Sequence, residues 1–396
     1  VERRPEFTSK YFSEEEAQYC RGRPERLAAR WAAKEAVRKL YGGLGLPIPL
    51  YSQIAVSKRP GGAPQILVSG EPVSGLSLSL THDAGLGLAV AAIDRYQALG
   101  TLRPATPPSE LELPARPADG HKGTFGTVLV IAGSPDFPGA AVLCSVGALR
   151  GGAGKVKALV GAESSTLPPE VIRVPVEAQA GRLGSGAVAQ ARSDLDHVQA
   201  VVCGPGLGES QATEELLEEL FAAGTGGSFH LVLDADALNV CATRRDLLGR
   251  IPPGSVLTPH PLEASRLARM DAAAVQADRE GTARRLAREL QAVVVLKGAH
   301  TLVAAADGAL YQDRHATAAL ASGGTGDVLA GLVGAELAQG LSPFAAARAA
   351  VFLHGAAGER LARTRGRAGI LASEVAEALV EVQEWVRRAL ERQARG

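Results

Sequence analysis

From residue 128 onward, short and largely apolar runs alternate with helical segments, and this alternation limits the folds open to the chain. The runs are residues 128–131 (Val-Leu-Val-Ile), 156–160, 200–203, 230–233, 255–258 and 293–296. Runs this short and this apolar suit strands buried on both faces. Helical segments separate many of them, among them 140–150, 210–223 and 278–291. Strand and helix in alternation predict a mostly parallel sheet flanked by helices, an α/β fold. After residue 320 the chain turns helical. Ser342-Pro343 places an N-cap before a proline at the first helical position. The last helix carries Val375, Leu379, Val382, Val386 and Leu390 at three- and four-residue spacing, a stripe that predicts packing against the domain.

Upstream the pattern differs. Pro104, Pro107, Pro108, Pro114 and Pro117 interrupt polar sequence with little periodicity. Proline removes a donor and favours extended backbone, so residues 95–111 read as a linker. It parts a first domain, 1–94, from a second, 112–396. The first domain opens with Ser13-Glu14-Glu15-Glu16, where Ser13 and Glu16 form a capping box. A helix is predicted over 24–41, stopped by Gly42-Gly43. Strands follow over 53–57, 65–69, 76–81 and 86–93, with Gly61-Gly62 turning the first into the second. This domain reads as small and α+β.

Composition narrows the function. Lys plus Arg equals Asp plus Glu at 42 each, which argues against a general nucleic-acid binder. No run of 18 apolar residues and no signal peptide appear, so a cytoplasmic protein with no membrane partner is expected. Cys20, Cys144, Cys203 and Cys241 lie far apart, as buried reduced thiols would. No histidine spacing predicts structural zinc. The 46 glycines suit closely packed α/β layers. Residue 1 is Val and the single Met is Met270, so the sequence is expected to lack its true start.

Ligands of open α/β sheets bind at the carboxyl ends of the strands. Three such ends carry polar sets here: Asp234-Ala235-Asp236-Ala237-Leu238-Asn239, Pro259-His260-Pro261-Leu262-Glu263 and Lys297-Gly298-Ala299-His300-Thr301. Any one of them could be a cap or a salt bridge; three on one rim predict a site. The sharpest segment is Ser322-Gly323-Gly324-Thr325-Gly326-Asp327, which opens directly onto a helix. Small residues let peptide N–H groups approach an anion, and the helix dipole adds positive potential. Asp327 could merely cap that helix. Beside a phosphate cradle, however, a carboxylate can take the proton of an attacking hydroxyl. Glycines on both sides favour the second reading.

Gly324-Thr325-Gly326-Asp327 resembles the anion hole and base of the ribokinase-like superfamily. With His121-Lys122-Gly123, Gly133-Ser134, Gly139-Ala140, Gly204-Pro205-Gly206-Leu207-Gly208 and the three strand-end sets, in family order, residues 112–385 resemble the ADP-dependent NAD(P)H-hydrate dehydratase family. The resemblance implies a ribokinase-like sheet and a repair reaction. A phosphoryl group passes from ADP, or from ATP, to the ring hydroxyl of hydrated NADH or NADPH (NADHX, NADPHX). Phosphate then leaves, and the reduced nucleotide is restored. The resemblance implies Asp327 as the base, with Ala140, Gly208, His260 and Asp327 contacting the hydrate. Lys297, Gly298, Ala299, His300, Thr301, Gly324 and Gly326 would bind the nucleotide. Glu263 would help hold Mg²⁺ through water, and Asp236 and Asn239 belong to the polar rim. Relatives carry Asn-Pro ahead of the Gly-rich stretch, where this chain has Thr317-Ala318.

In the first domain Glu35 sits within an apolar helical stripe, where a carboxylate usually has a partner or a metal. Ala32-Ala33-Lys34-Glu35-Ala36 and Leu78-Ser79-Leu80-Thr81-His82 resemble the holo-acyl-carrier-protein synthase family over residues 3–94. That resemblance implies Glu35 as a Mg²⁺ ligand, Lys34 as a catalytic helper, His82 as a coenzyme A contact, acyl carrier protein as a partner and a homo-oligomer. The family's opening Gly-x-Asp strand is missing here, so an incomplete transferase is expected. The rival readings are a ribokinase-like small-molecule kinase, phosphopantetheinyl transfer as a main activity, or a first domain that serves only oligomerisation.

Overall fold

A nine-stranded sheet organises the larger part of the chain. The computed structural model describes residues 6–21, 23–43, 48–58, 63–73, 76–83, 86–93, 107–161, 166–227 and 229–395. The chain divides into two units, Val1–Pro104 and Ala105–Gly396.

In the first unit, α1 (Glu6–Tyr11), α2 (Glu14–Tyr19) and α3 (Pro24–Gly43) precede β1 (Ile54–Lys58), β2 (Pro64–Val68), β3 (Glu71–Pro72), β4 (Leu76–Asp83) and β5 (Leu86–Ile93). The Ser13–Glu16 capping box forms, with reciprocal bonds of 3.0 and 3.2 Å. α3 runs through both glycines expected to stop it. β1–β2–β3 and β4–β5 are separate antiparallel sheets. Gly61-Gly62 lies outside the described residues. Along β5, Ala89, Ala91 and Ile93 pack on the core while Leu86, Leu88 and Val90 are exposed.

The second unit holds β6 (Thr127–Ile131), β7 (Lys155–Leu159), β8 (Val171–Val174), β9 (Ala200–Cys203), β10 (His230–Leu233), β11 (Val256–Leu257), β12 (Val293–Leu296), β13 (Leu302–Ala304) and β14 (Leu310–Gln312). Their order is β14-β13-β12-β11-β10-β9-β6-β7-β8. From β8 to β12 all pairs are parallel; β13 and β14 are antiparallel. This is the helix-flanked, mostly parallel sheet that the alternation predicts. The principal helices are α4 (Pro138–Arg150), α5 (Gln211–Gly224), α6 (Asp236–Thr243), α7 (Pro261–Ala268), α8 (Arg279–Leu290), α9 (Thr325–Ala338), α10 (Pro343–Thr364) and α11 (Ala372–Arg395). Residues 107–111, within the stretch read as linker, lie against this unit. Leu111 is buried, and Gln393 Nε2 donates to Pro107 O at 3.2 Å.

The two sheet faces differ in side-chain size. Val128, Val130, Val202 and Val232 share a core with α4, α9, α10 and α11. Leu129, Ile131, Leu231 and Leu233 share one with α5 to α8. The smaller face lets α9 come close. A Cβ on Gly334 would lie 2.5 Å from Val202, and one on Gly331 would lie 2.0 Å from Cys144 O in α4. The α11 stripe packs as predicted: Val375, Leu379, Val382 and Val386 are buried. All four cysteines are free and buried.

Within this core α9 also buries Glu336, whose Oε2 has no partner among the described residues. Burial pushes its carboxyl up to about 8, against the pull of Arg387 and Arg116. The folded state therefore holds a proton that the unfolded chain releases near its ordinary value of 4.5. Stability tied to Glu336 is full below that value and falls as pH rises through about 8. Glu336→Gln should raise Tm at pH 8, by the equivalent of on the order of 1–3 kcal/mol, and change it little at pH 5. Equal gains in thermal melts at both pH values would count against this.

Candidate active site

Three parallel strands deliver the polar residues of one rim. β10 ends at Leu233, and Asp234 follows, 1% exposed. Ala235 takes φ +50°, a left-handed conformation costly for alanine. This turn sends its two neighbours to different partners. Asp234 Oδ1 accepts from Lys297 Nζ at 2.7 Å, and Asp236 Oδ2 accepts the Gly208 N–H at 2.8 Å. β11 leads to His260, which caps α7. Its Nδ1 accepts the Leu262 and Glu263 N–H groups at 3.1 and 3.2 Å, and Glu263 Oε2 accepts the His260 N–H at 2.7 Å. Because Nδ1 accepts, the ring proton sits on Nε2, 3.2 Å from Glu263 Oε1. β12 leads to Lys297, whose Nζ is also 3.8 Å from Glu263 Oε2.

The first turn of α9 meets this cluster with its backbone. A Cβ on Gly326 would lie 3.4 Å from Lys297 Nζ and 4.0 Å from Asp234 Oδ2. Gly324, at φ +87°, caps the helix, and a Cβ there would strike Leu143 at 2.3 Å. Burial pushes Asp327 up to about 7; the Asp234 charge adds to this and Lys297 opposes it. Burial pushes Glu263 up to about 7 as well, again opposed by Lys297. Burial alone would lower Lys297, but Asp234 and Glu263 outweigh it and hold the ammonium above the ordinary lysine value. Burial and the Lys297 charge both lower His260.

Beside the cluster opens a cavity of about 690 Å³. Lys297, Gly298, Ala299, Thr301, Gly326 and His260 line it. His260, expected to contact the hydrate, thus lines the same cavity as Lys297, Gly298 and Ala299, which are expected to bind the nucleotide. His300, expected to bind nucleotide, is exposed and outside the lining; its Nδ1 lies 3.3 Å from Asp313 O. Asp327, Ala140 and Gly208 also lie outside it. The Asp234 and Asp236 charges both reach Asp327, and a Cβ on Gly206 would lie 2.7 Å from that of Ala140. The predicted residues therefore fall into two groups, one lining the cavity and one outside it. Asn239 Oδ1 accepts from Arg266 Nη1 at 2.6 Å. Thr317 Oγ1 caps a short turn by accepting the Ala319 N–H at 3.2 Å.

Sequence reasoning missed His354, Asp313 and His315, which line the same cavity. His354, on α10, lies with Nε2 2.9 Å from Thr325 O and so tethers the start of α9. Burial pushes it down to about 4, so it is neutral. No motif marks it, since it sits in an ordinary Ala-rich helix.

In the first unit the structure corrects Lys34. The side chain is fully buried, and Nζ donates to Glu16 Oε2 at 2.9 Å and to the carbonyls of Tyr11, Tyr51 and Ile54. Such a lysine joins α3 to α2 and β1; it is not free to serve a substrate. Glu35 Oε1 accepts from the Tyr51 hydroxyl at 2.5 Å, and His82 is exposed on β4.

The profile of the NAD(P)H-hydrate dehydratase family matches residues 128–381, more than half of the chain. The chain belongs to that family. The profile of the 4'-phosphopantetheinyl transferase superfamily matches residues 1–91. An ADP-dependent (S)-NAD(P)H-hydrate dehydratase of Neisseria meningitidis is 41% identical over 279 residues, covering 70% of this chain and 90% of that one. A bifunctional NAD(P)H-hydrate repair enzyme of Moorella thermoacetica is 40% identical over 273 residues, covering 68% of this chain. The chain spans about half, 51%, of that enzyme's length. A crystal structure of the ADP/ATP-dependent NAD(P)H-hydrate dehydratase from Bacillus subtilis, co-crystallized with ATP/Mg²⁺, matches at TM-score 0.57 and 32% identity, covering 69% of this chain and 94% of that one. The fold expected from the sequence, a ribokinase-like sheet flanked by helices, is the one observed.

Proposed function

We propose that the second unit, Ala105–Gly396, restores NADH and NADPH from the S form of their hydrates. It uses ADP and releases AMP and phosphate. The observation that carries this reading is the position of the first turn of α9. Gly326 lies against Lys297 and borders the cavity, while Asp327 stands one residue on, outside it. A donor nucleotide in the cavity would bring its terminal phosphate to Lys297 and the peptide N–H groups of Gly324 and Gly326. The hydrate would approach from Ala140 and Gly208. Asp327 would accept the proton of its ring hydroxyl as that oxygen attacks phosphorus. The same loop and Lys297 would then hold the phosphate as it departs.

The residues present fit Mg²⁺ only as a partner of phosphate oxygens. Among the described residues no group of three metal-ligating side chains forms. Both Glu263 oxygens already face His260, so Glu263 would act through water. There Mg²⁺ would offset charge on the transferring phosphoryl group.

For the first unit we propose a transferase-like body, with coenzyme A and acyl carrier protein as its partner class. Exposed Leu86, Leu88 and Val90 support association of copies through it. Four free, buried cysteines are in keeping with the cytoplasm.

The test is return of the reduced-nicotinamide absorbance from purified NADH hydrate with Mg²⁺ and either ADP or ATP. Recovery that requires ADP is expected. No recovery, with AMP still formed on other alcohols, would favour the small-molecule kinase.

A further inference from the structure

The lining of the cavity includes a paired Asp and His. Asp313 and His315 follow β14, and both are nearly fully buried. His315 Nδ1 lies 2.9 Å from each Asp313 carboxylate oxygen. The same carboxylate accepts from the Tyr311 hydroxyl at 2.9 Å and from the His315 N–H at 3.3 Å. A carboxylate that receives three donors fixes the imidazole proton on Nδ1. Nε2 is left as a bare acceptor. It is buried and has no partner among the described residues. The ring cannot easily turn away. It meets Phe352 edge-on at 4.9 Å, and a Cβ on Gly355 would lie 2.7 Å from both His315 Cβ and Asp313 Oδ2. Such a fixed, unused acceptor on a residue that lines a cavity calls for a donor from outside the protein.

The surroundings indicate which donor. The phosphate end of the cavity is marked by Lys297 and Gly326. Leu320, Leu329 and Val351 line the same cavity as His315, a set that suits a flat purine more than a ribose. We propose that His315 Nε2 accepts a hydrogen bond from the 6-amino group of adenine, and that Asp313 positions it to do so. A 6-oxo purine offers an acceptor at that place, so two lone pairs would face each other. The pair thereby selects adenine over hypoxanthine nucleotides. This rests on the nucleotide reading of the cavity given above.

The test compares ADP with IDP, which differs at purine C6, by calorimetry on the full chain with Mg²⁺. Wild type should favour ADP about tenfold to a hundredfold. His315→Leu should lose most of that preference by weakening ADP alone. His315→Gln, whose amide both donates and accepts, should bring IDP close to ADP, and it decides the matter if the Leu variant does not fold. Asp313→Asn keeps the ring but no longer dictates its proton, and should shrink the preference. A preference unchanged in His315→Gln would overturn the assignment while leaving the nucleotide site intact. So would a wild type that binds both nucleotides equally. Binding of neither nucleotide to wild type would overturn the nucleotide reading itself, and the assignment with it.

Discussion

Asp327→Asn is expected to hold ADP with near-normal affinity and to lower turnover by about 10²- to 10⁴-fold. The substitution keeps size and polarity and removes only the capacity to take a proton. The wild-type pH profile gives the same argument a second reading. Burial and the Asp234 charge hold the Asp327 carboxyl at about 7 in the free protein. The base form is therefore lost below that point, and kcat/KM should fall about tenfold per pH unit there. The Asn variant should lack this limb. Near-normal turnover in Asp327→Asn would remove Asp327 from its role, whatever the profile.

Lys297→Met is expected to be the most damaging change to stability in the site. Asp234 is 1% exposed, and Lys297 donates to it at 2.7 Å. Removing the cation leaves a buried carboxylate uncompensated, with Glu263 close by. Breaking a buried pair in this way costs about 3–5 kcal/mol. ADP affinity should fall as well, since the cation that faces the cavity is gone. The two effects separate in a cycle. Adding Asp234→Asn should return about 1–3 kcal/mol of stability in denaturant titrations without restoring ADP binding. Strictly additive losses would show that the two side chains do not depend on each other.

The sheet is legible in the sequence where burial is symmetric. Residues 128–131, 200–203, 230–233 and 293–296 are apolar, or nearly so, because helices cover both faces, and each is a strand. β8 leaves no such mark because it lies at the sheet edge, where Ile172 and Arg173 are exposed and break the apolar run. β13 and β14 span three residues each, too short for a period to register. The rim residues are legible because several strand ends carry polar sets at once. Which of them line the cavity and which do not is not legible, since it depends on how Ala235 turns and where Gly326 comes to rest. Lys34 departs from its expected role for a similar reason. Sequence shows a lysine beside a carboxylate, but only the fold reveals the four acceptors closing around it. Asp313 and His315 stand two apart in a loop, a spacing that signals nothing by itself. Gly355, far along the chain on α10, gives the pair its fixed geometry.

The seat of α9 has a consequence for how this protein can change. Its position against α4 and the sheet is set by missing side chains at Gly147, Gly331 and Gly334, where even a methyl group would meet its neighbours at 2.4, 2.0 and 2.5 Å. Bulk can be trimmed from an ordinary core and restored elsewhere, but nothing smaller than hydrogen is available here. Adjustment by substitution at these three points runs in one direction only, outward, carrying the Gly-rich loop and Asp327 with it. Directed evolution for new acceptor alcohols should therefore find its useful variants at the rim around Ala140 and Gly208, and almost none beneath the helix that bears Asp327.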